Sequence, residues 1–190
     1  MISDLRQILC DSSRKVAEIA ASLVLDEPKW IKQVTEIMLA DEYPYSHRAA
    51  RVLEICSGQF PEFFNKQQNT IIPGLQKVRS EGVIRGILKI AADCPVTLSK
   101  KNTGILLGLC FDWLSDASRP VSIRVHSMQF LYNISVHEKD IRDELISILE
   151  EGYADGTAGF RSRSDKILKK LYAIGIGPGH SKRSDLSRMR

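Results

Sequence analysis

The sequence predicts an all-α protein: a short right-handed α-α superhelix, a solenoid of about five helical pairs. Three observations carry this reading. Apolar residues recur at three- and four-residue spacing almost throughout the chain, the signature of amphipathic helices. No segment sustains the apolar/polar alternation of a half-buried strand. The apolar pattern also returns on itself at successive intervals of 33, 34, 40 and 37 residues. A helical pair cannot bury its apolar stripe alone, so such a period implies stacking of neighbours into one continuous core.

The elements follow in order. Residues 2–10 form a short helix with Ile2, Leu5, Ile8 and Leu9 on one face and Ser3 as N-cap. A second helix starts near Ser13 and buries Val16, Ile19, Ala20 and Leu23. A third opens at Pro28, a first-turn proline that loses no intrahelical bond, and turns Trp30, Ile31, Val34, Ile37 and Met38 inward. The fourth covers 46–60 and the fifth runs from Pro61 towards Val78, with Pro73-Gly74 kinking or splitting it. Later helices span about 81–93, 99–114, 120–136, 139–153 and 157–173. Residues 175–190 have no periodicity, so the expected organisation is a repeat domain over 1–174 and a basic tail over 175–190.

The repeat register is specific. A shift of 33 lays Val16, Ile19, Ala20 and Leu23 on Ala49, Val52, Leu53 and Cys56, and Trp30-Ile31 on Phe63-Phe64. The last shift, 37, lays Phe130, Leu131 and Ile134 on Ile167, Leu168 and Leu171. The chain thereby resembles the HEAT-repeat branch of the armadillo-like helical superfamily. In that family an acidic residue in the turn precedes an apolar-Arg pair at the start of each second helix. Here Glu42 precedes His47-Arg48, Asp116 precedes Ile123-Arg124 and Asp155 precedes Phe160-Arg161, with Asp11 and Lys15 as a weaker version. The third repeat departs, with Gly82 at the matching position and Arg85 one turn on. The resemblance implies that these acids and arginines bond within and between repeats, and that the second helices line a concave face.

Composition narrows the class. Hydrophobic residues make up 43% and charged residues 26% of 190, which suits a globular domain and excludes a disordered or collagenous chain. The longest apolar stretches, 19–25 and 104–111, are far short of the ~20 residues that span a bilayer. Asp4 and Arg6 interrupt any secretory h-region. Cys10, Cys56, Cys94 and Cys110 form no C-x-x-C pair, so the expectation is a reducing cytoplasm, thiols acting as small hydrophobes, and no membrane partner.

Chemistry-bearing motifs are missing. His47, His126, His137 and His180 form no metal-ligand spacing with one another or with a cysteine, and no G-x-S-x-G elbow occurs. Gly175-Ile176-Gly177-Pro178-Gly179 follows a helix rather than a strand, so it reads as a helix end and not a phosphate loop. Asp112-Trp113 resembles a fragment of the cleft of HEAT-like alkylpurine DNA glycosylases, but Trp113 sits beside an apolar run and reads as core. Trp30, Phe63, Phe64 and Phe111 read likewise as inter-repeat packing rather than base-stacking platforms. The expectation is a non-catalytic scaffold with no metal and no cofactor.

Charge supplies the candidate sites. Residues 161–190 carry nine Lys/Arg and two Asp, net +7, against −3 for the rest, and 138–155 is acidic. One reading is a protein-binding scaffold or adaptor, with Arg48, Arg51, Arg85 and Arg124 as contacts along the second helices and Arg163 extending the ladder. The alternative is nucleic-acid or other polyanion binding through Arg161, Arg163, Lys166, Lys169, Lys170, Lys182 and Arg183.

Overall fold

The computed structural model describes residues 4–27 and 29–175. A 3-10 turn at Leu5–Gln7 leads into α1 (Arg14–Asp26), α2 (Trp30–Leu39), α3 (Tyr45–Gln59) and α4 (Glu62–Gly74), which ends in a 3-10 turn at Leu75–Lys77. There follow α5 (Glu81–Asp93), α6 (Lys100–Ser115), α7 (Val121–Ser135), a 3-10 turn at Lys139–Ile141, α8 (Arg142–Glu151) and α9 (Ala158–Gly175). No strand occurs among the described residues.

Local chemistry places the ends. The Ser13 Oγ accepts from the Val16 amide at 3.2 Å and the Ser99 Oγ from the Asn102 amide at 3.3 Å, each satisfying an orphan donor of a first turn. Pro73 lies in the last turn of α4, and the chain tightens to 3-10 directly after it, as the Pro-Gly pair predicts. Pro61 stands just before α4 at φ −55°, where a missing N–H costs nothing. Pro28, Ser3 and the tail from 176 onward, with Lys182, Arg183 and His180, lie outside the described residues.

The helices form two rows. In one row α1, α3, α5, α7 and α9 lie side by side in chain order; in the other lie α2, α4, α6 and α8. The first row meets more closely along its length than the second, so it is the inner row of the solenoid. One core runs between the rows, with Val24, Val34, Met38, Leu53, Phe64, Ile71, Ile87, Leu106, Leu131, Leu149 and Phe160 all at 0% exposure. Each large side chain buried this way contributes roughly 1.5–3 kcal/mol, and no element could supply that burial alone. Trp113, Phe64 and Phe111 are core, and Trp30 and Phe63 are packed half-buried against it.

Three expectations need correction. Residues 4–10 hold a 3-10 turn at Leu5–Gln7 in place of a helix, with the Asp4 carboxylate accepting from the Arg6 amide at 2.9 Å; two leucines suffice to seal the end of the core, and both Leu5 and Leu9 are buried. In α1 the buried face is Ala17, Ala20, Ala21 and Val24, and Ile19 is 52% exposed. The small alanines let α1 sit close to α3, and that choice rotates Ile19 outward. Cys10 is exposed, although Cys56 and Cys110 are buried as small hydrophobes.

Candidate anion-binding inner face

The second helices of the repeats are the inner row, and they divide the predicted arginines into two groups. The first group is consumed by the fold. Arg48 on α3 donates from Nη1 to the Leu9 carbonyl at 2.7 Å, tying α3 to the first turn. Arg124 on α7 is buried; its Nε donates to the Leu114 carbonyl at 3.0 Å and its guanidinium lies 4.0 Å from the Phe160 ring centroid. It satisfies an orphan carbonyl at the end of α6 and stacks on the next repeat. Both bond within the fold, as the resemblance implies, and neither lines the cavity that holds Arg51 and Arg85.

The acids behave differently from the family pattern. The Glu42 carboxylate meets Arg6 at the surface, at 3.5 Å. Its neighbour Asp41 makes the inter-repeat bond: the carboxylate accepts from the Arg79 and Ser80 amides at 2.9 and 3.0 Å, across the start of α5. Asp41 has φ 58°, a left-handed conformation that Asp tolerates better than most residues. Asp116 turns back on its own loop, accepting from the amide and hydroxyl of Ser118.

The second group, Arg51 and Arg85, lines a cavity of about 370 Å³ on the open side of the inner row, with His47, Ala50, Glu54, Gly82, Gly86, Lys89 and His126. Side chains of α3, α5 and α7 converge here because small residues bring the helices together. A Cβ on Gly82 would strike the His47 ring at 2.8 Å, and one on Gly86 would meet Ala50 Cβ at 3.3 Å. That close approach is why the third repeat has glycine at the position where the others have a larger residue. The His47 Nε2 in turn pairs with the Ser80 hydroxyl.

The electrostatics are ordered. Glu54 accepts from Arg51 Nη1 at 2.8 Å and from Lys89 Nζ at 2.6 Å, joining α3 to α5. Burial raises the Glu54 carboxyl, but the bonds and charges of Lys89 and Arg51 outweigh it and hold the group below the usual carboxylate range. Arg85 is exposed and has no hydrogen-bonding or ion-pair partner among the described residues. Burial pushes His126 below its ordinary value; Asp93 opposes this, and Lys89, Arg163 and Arg85 reinforce it.

A second cavity, about 410 Å³, adjoins along the same row between α7 and α9, lined by Gln129, Arg163, Lys166, Ile167, Lys169, Lys170 and Ala173. Arg163 Nη1 donates to Gln129 at 2.8 Å and Lys170 lies 5.1 Å from the Tyr132 ring centroid. Lys166 and Lys169 are exposed, as is Arg161. The two predicted sites, the arginine ladder and the basic C-terminal helix, are thus neighbours on one face. Lys89, Glu54, His47 and His126 belong to it and were not singled out as site residues from the sequence. The repeat register could have found the face, since the 34-residue shift carries Arg51 to Arg85 and the 37-residue shift carries His126 to Arg163. Among the described residues no group of three His, Cys, Asp or Glu could hold a metal ion, and no helix is long and apolar enough to cross a membrane.

Two rows of helices packed about one core and joined by inter-repeat bonds define a helical repeat fold. A family model described as HEAT repeat domain matches residues 5–171. The chain belongs to the HEAT repeat domain family. Comparison with curated proteins and with solved structures gave no match.

Proposed function

We propose that the protein is a non-catalytic adaptor whose inner face grips an acidic segment of a protein partner. The observation that carries this is the continuity of cations along α3, α5, α7 and α9. Arg51, Arg85, Lys89, Arg163, Lys166, Lys169 and Lys170 line the two adjoining cavities against one carboxylate, Glu54. Helices pack about 9 Å apart, so four of them present a track of roughly 27 Å, which an extended peptide covers with about eight residues. Opposite charge steers such a segment to the face and fixes its orientation.

A single-stranded nucleic acid fits this face less well. Sequence-tolerant binding of bases rests on aromatic platforms, and Phe64, Phe111, Trp113 and Phe160 are buried. The test is fluorescence anisotropy with a labelled deca-glutamate peptide. Binding is expected to weaken about tenfold in Arg85→Gln, to fall with salt, and to be unchanged in Lys101→Gln on the outer row. Equal weakening by both substitutions, or none by either, contradicts the assignment of the inner face.

A further inference from the structure

The cavity between α3, α5 and α7 has a feature that a simple basic track does not need. Three cations, Arg51, Arg85 and Lys89, face one carboxylate, Glu54, so with the histidines counted neutral the cavity carries a net charge of +2. Glu54 does not cancel the cations so much as orient two of them: it holds Arg51 at 2.8 Å and Lys89 at 2.6 Å, which leaves Arg85 as the one guanidinium of the cavity with all its donors unspent among the described residues. A guanidinium offers five N–H donors in a fixed fork that matches tetrahedral oxyanions. Ala50, Gly82 and Gly86 line the same cavity and bring no charge to it.

We propose that this cavity is a phosphomonoester site that reads a phosphorylated side chain within the acidic partner segment; the inference rests on the reading of the inner face given above. A phosphoserine carries about −1.5 to −2 charge near neutral pH and three acceptor oxygens, which matches the excess charge of the cavity. A glutamate or aspartate brings a single negative charge and leaves one of the two excess positive charges of the cavity lining unbalanced. A phosphodiester also brings one charge per phosphate, and the cavity lining has no aromatic ring for the attached bases other than the histidines. Arg85 is assigned the bidentate contact and Lys89 the second, with Arg51 closing the side nearest α3. The neighbouring cavity, where Lys166 and Lys169 stand on an open helix face without a clamping carboxylate, takes the acidic residues that flank the phosphoryl group.

The experiment uses the full chain and three fluorescein-labelled peptides, about twelve residues long, identical except for phosphoserine, glutamate or serine at one central position among glutamates. Anisotropy titrations at about 0.15 M salt are expected to show the phosphoserine peptide binding at least about tenfold more tightly than the glutamate peptide. Arg85→Gln and Lys89→Gln are expected to bring that ratio to within about twofold, and Lys169→Gln to weaken all three peptides alike and leave the ratio intact. Circular dichroism of each variant shows whether the fold persists; both Arg85 and Lys169 are exposed. Equal affinity for the phosphoserine and glutamate peptides overturns the phosphoryl site and leaves the acidic-segment reading standing. Failure of all three peptides to bind removes both. A short oligothymidylate that displaces the phosphopeptide at equal charge overturns the proposal in favour of a nucleic-acid backbone.

Discussion

The Asp41 carboxylate is a clamp between repeats, and its removal gives a graded result. It accepts two backbone amides, Arg79 and Ser80, from a segment 38 and 39 residues later in the chain. Each bond resembles a helix N-cap, worth about 1 kcal/mol. The residue also sits at φ 58°, where an alanine costs roughly 1 kcal/mol more. Asp41→Ala should therefore destabilise by about 3 kcal/mol. Asp41→Gly removes the bonds without the conformational penalty and should cost about 2 kcal/mol, and Asp41→Asn keeps one acceptor and should cost about 1 kcal/mol. For a domain of this size each kcal/mol lowers Tm by roughly 2–4 °C, so the alanine variant should melt about 9 °C below wild type, followed by circular dichroism at 222 nm. An alanine variant within about 1 °C of wild type refutes the clamp; a glycine variant as damaged as the alanine variant refutes the conformational part.

Other outcomes follow from the same contacts. Arg124→Met should lower stability by about 2–3 kcal/mol in urea denaturation, because it leaves the buried Leu114 carbonyl unpaired and removes the stack on Phe160, and Arg124→Lys should not restore it. Glu54 is depressed in the folded state, so its contribution is present above the unfolded value near 4.3 and is lost as pH falls through its lower folded value. Glu54→Gln should flatten the fall in stability as pH drops below the unfolded value near 4.3. Under native conditions a thiol reagent should modify Cys10 first, while Cys56, pushed up to about 12 by burial, and Cys110, raised further by the same cause, should react only on unfolding. The His126 ring should titrate below its ordinary value by NMR, and occupation of the adjacent cavity by an anion should raise that midpoint.

Most of the fold was legible because periodicity records burial directly. Val34, Leu53, Phe130 and Leu171 were placed by spacing alone and all are core. Ser13, Ser99 and Pro73-Gly74 marked ends because each acts on its own turn. What sequence could not show was set by neighbours far along the chain. Ile19 has the spacing of a core residue, yet the alanines beside it decide which face meets α3. Glu42 and Asp41 are adjacent acids, and only the approach of residues 79 and 80 selects between them. The arginines were the hardest, since Arg48 and Arg51 stand one turn apart on one helix and differ in what lies opposite: the Leu9 carbonyl for the first, the Glu54 carboxylate and an open cavity for the second.

The measurement that bears most directly on the central claim is chemical-shift mapping of the isotope-labelled protein with unlabelled deca-glutamate. The shifted amides and side chains should cluster on Arg51, Arg85, Lys89, His126, Arg163 and Lys166, along α3, α5, α7 and α9, with α2, α4 and α6 silent. Shifts confined to the outer row, or spread evenly over every exposed lysine and arginine, would contradict it.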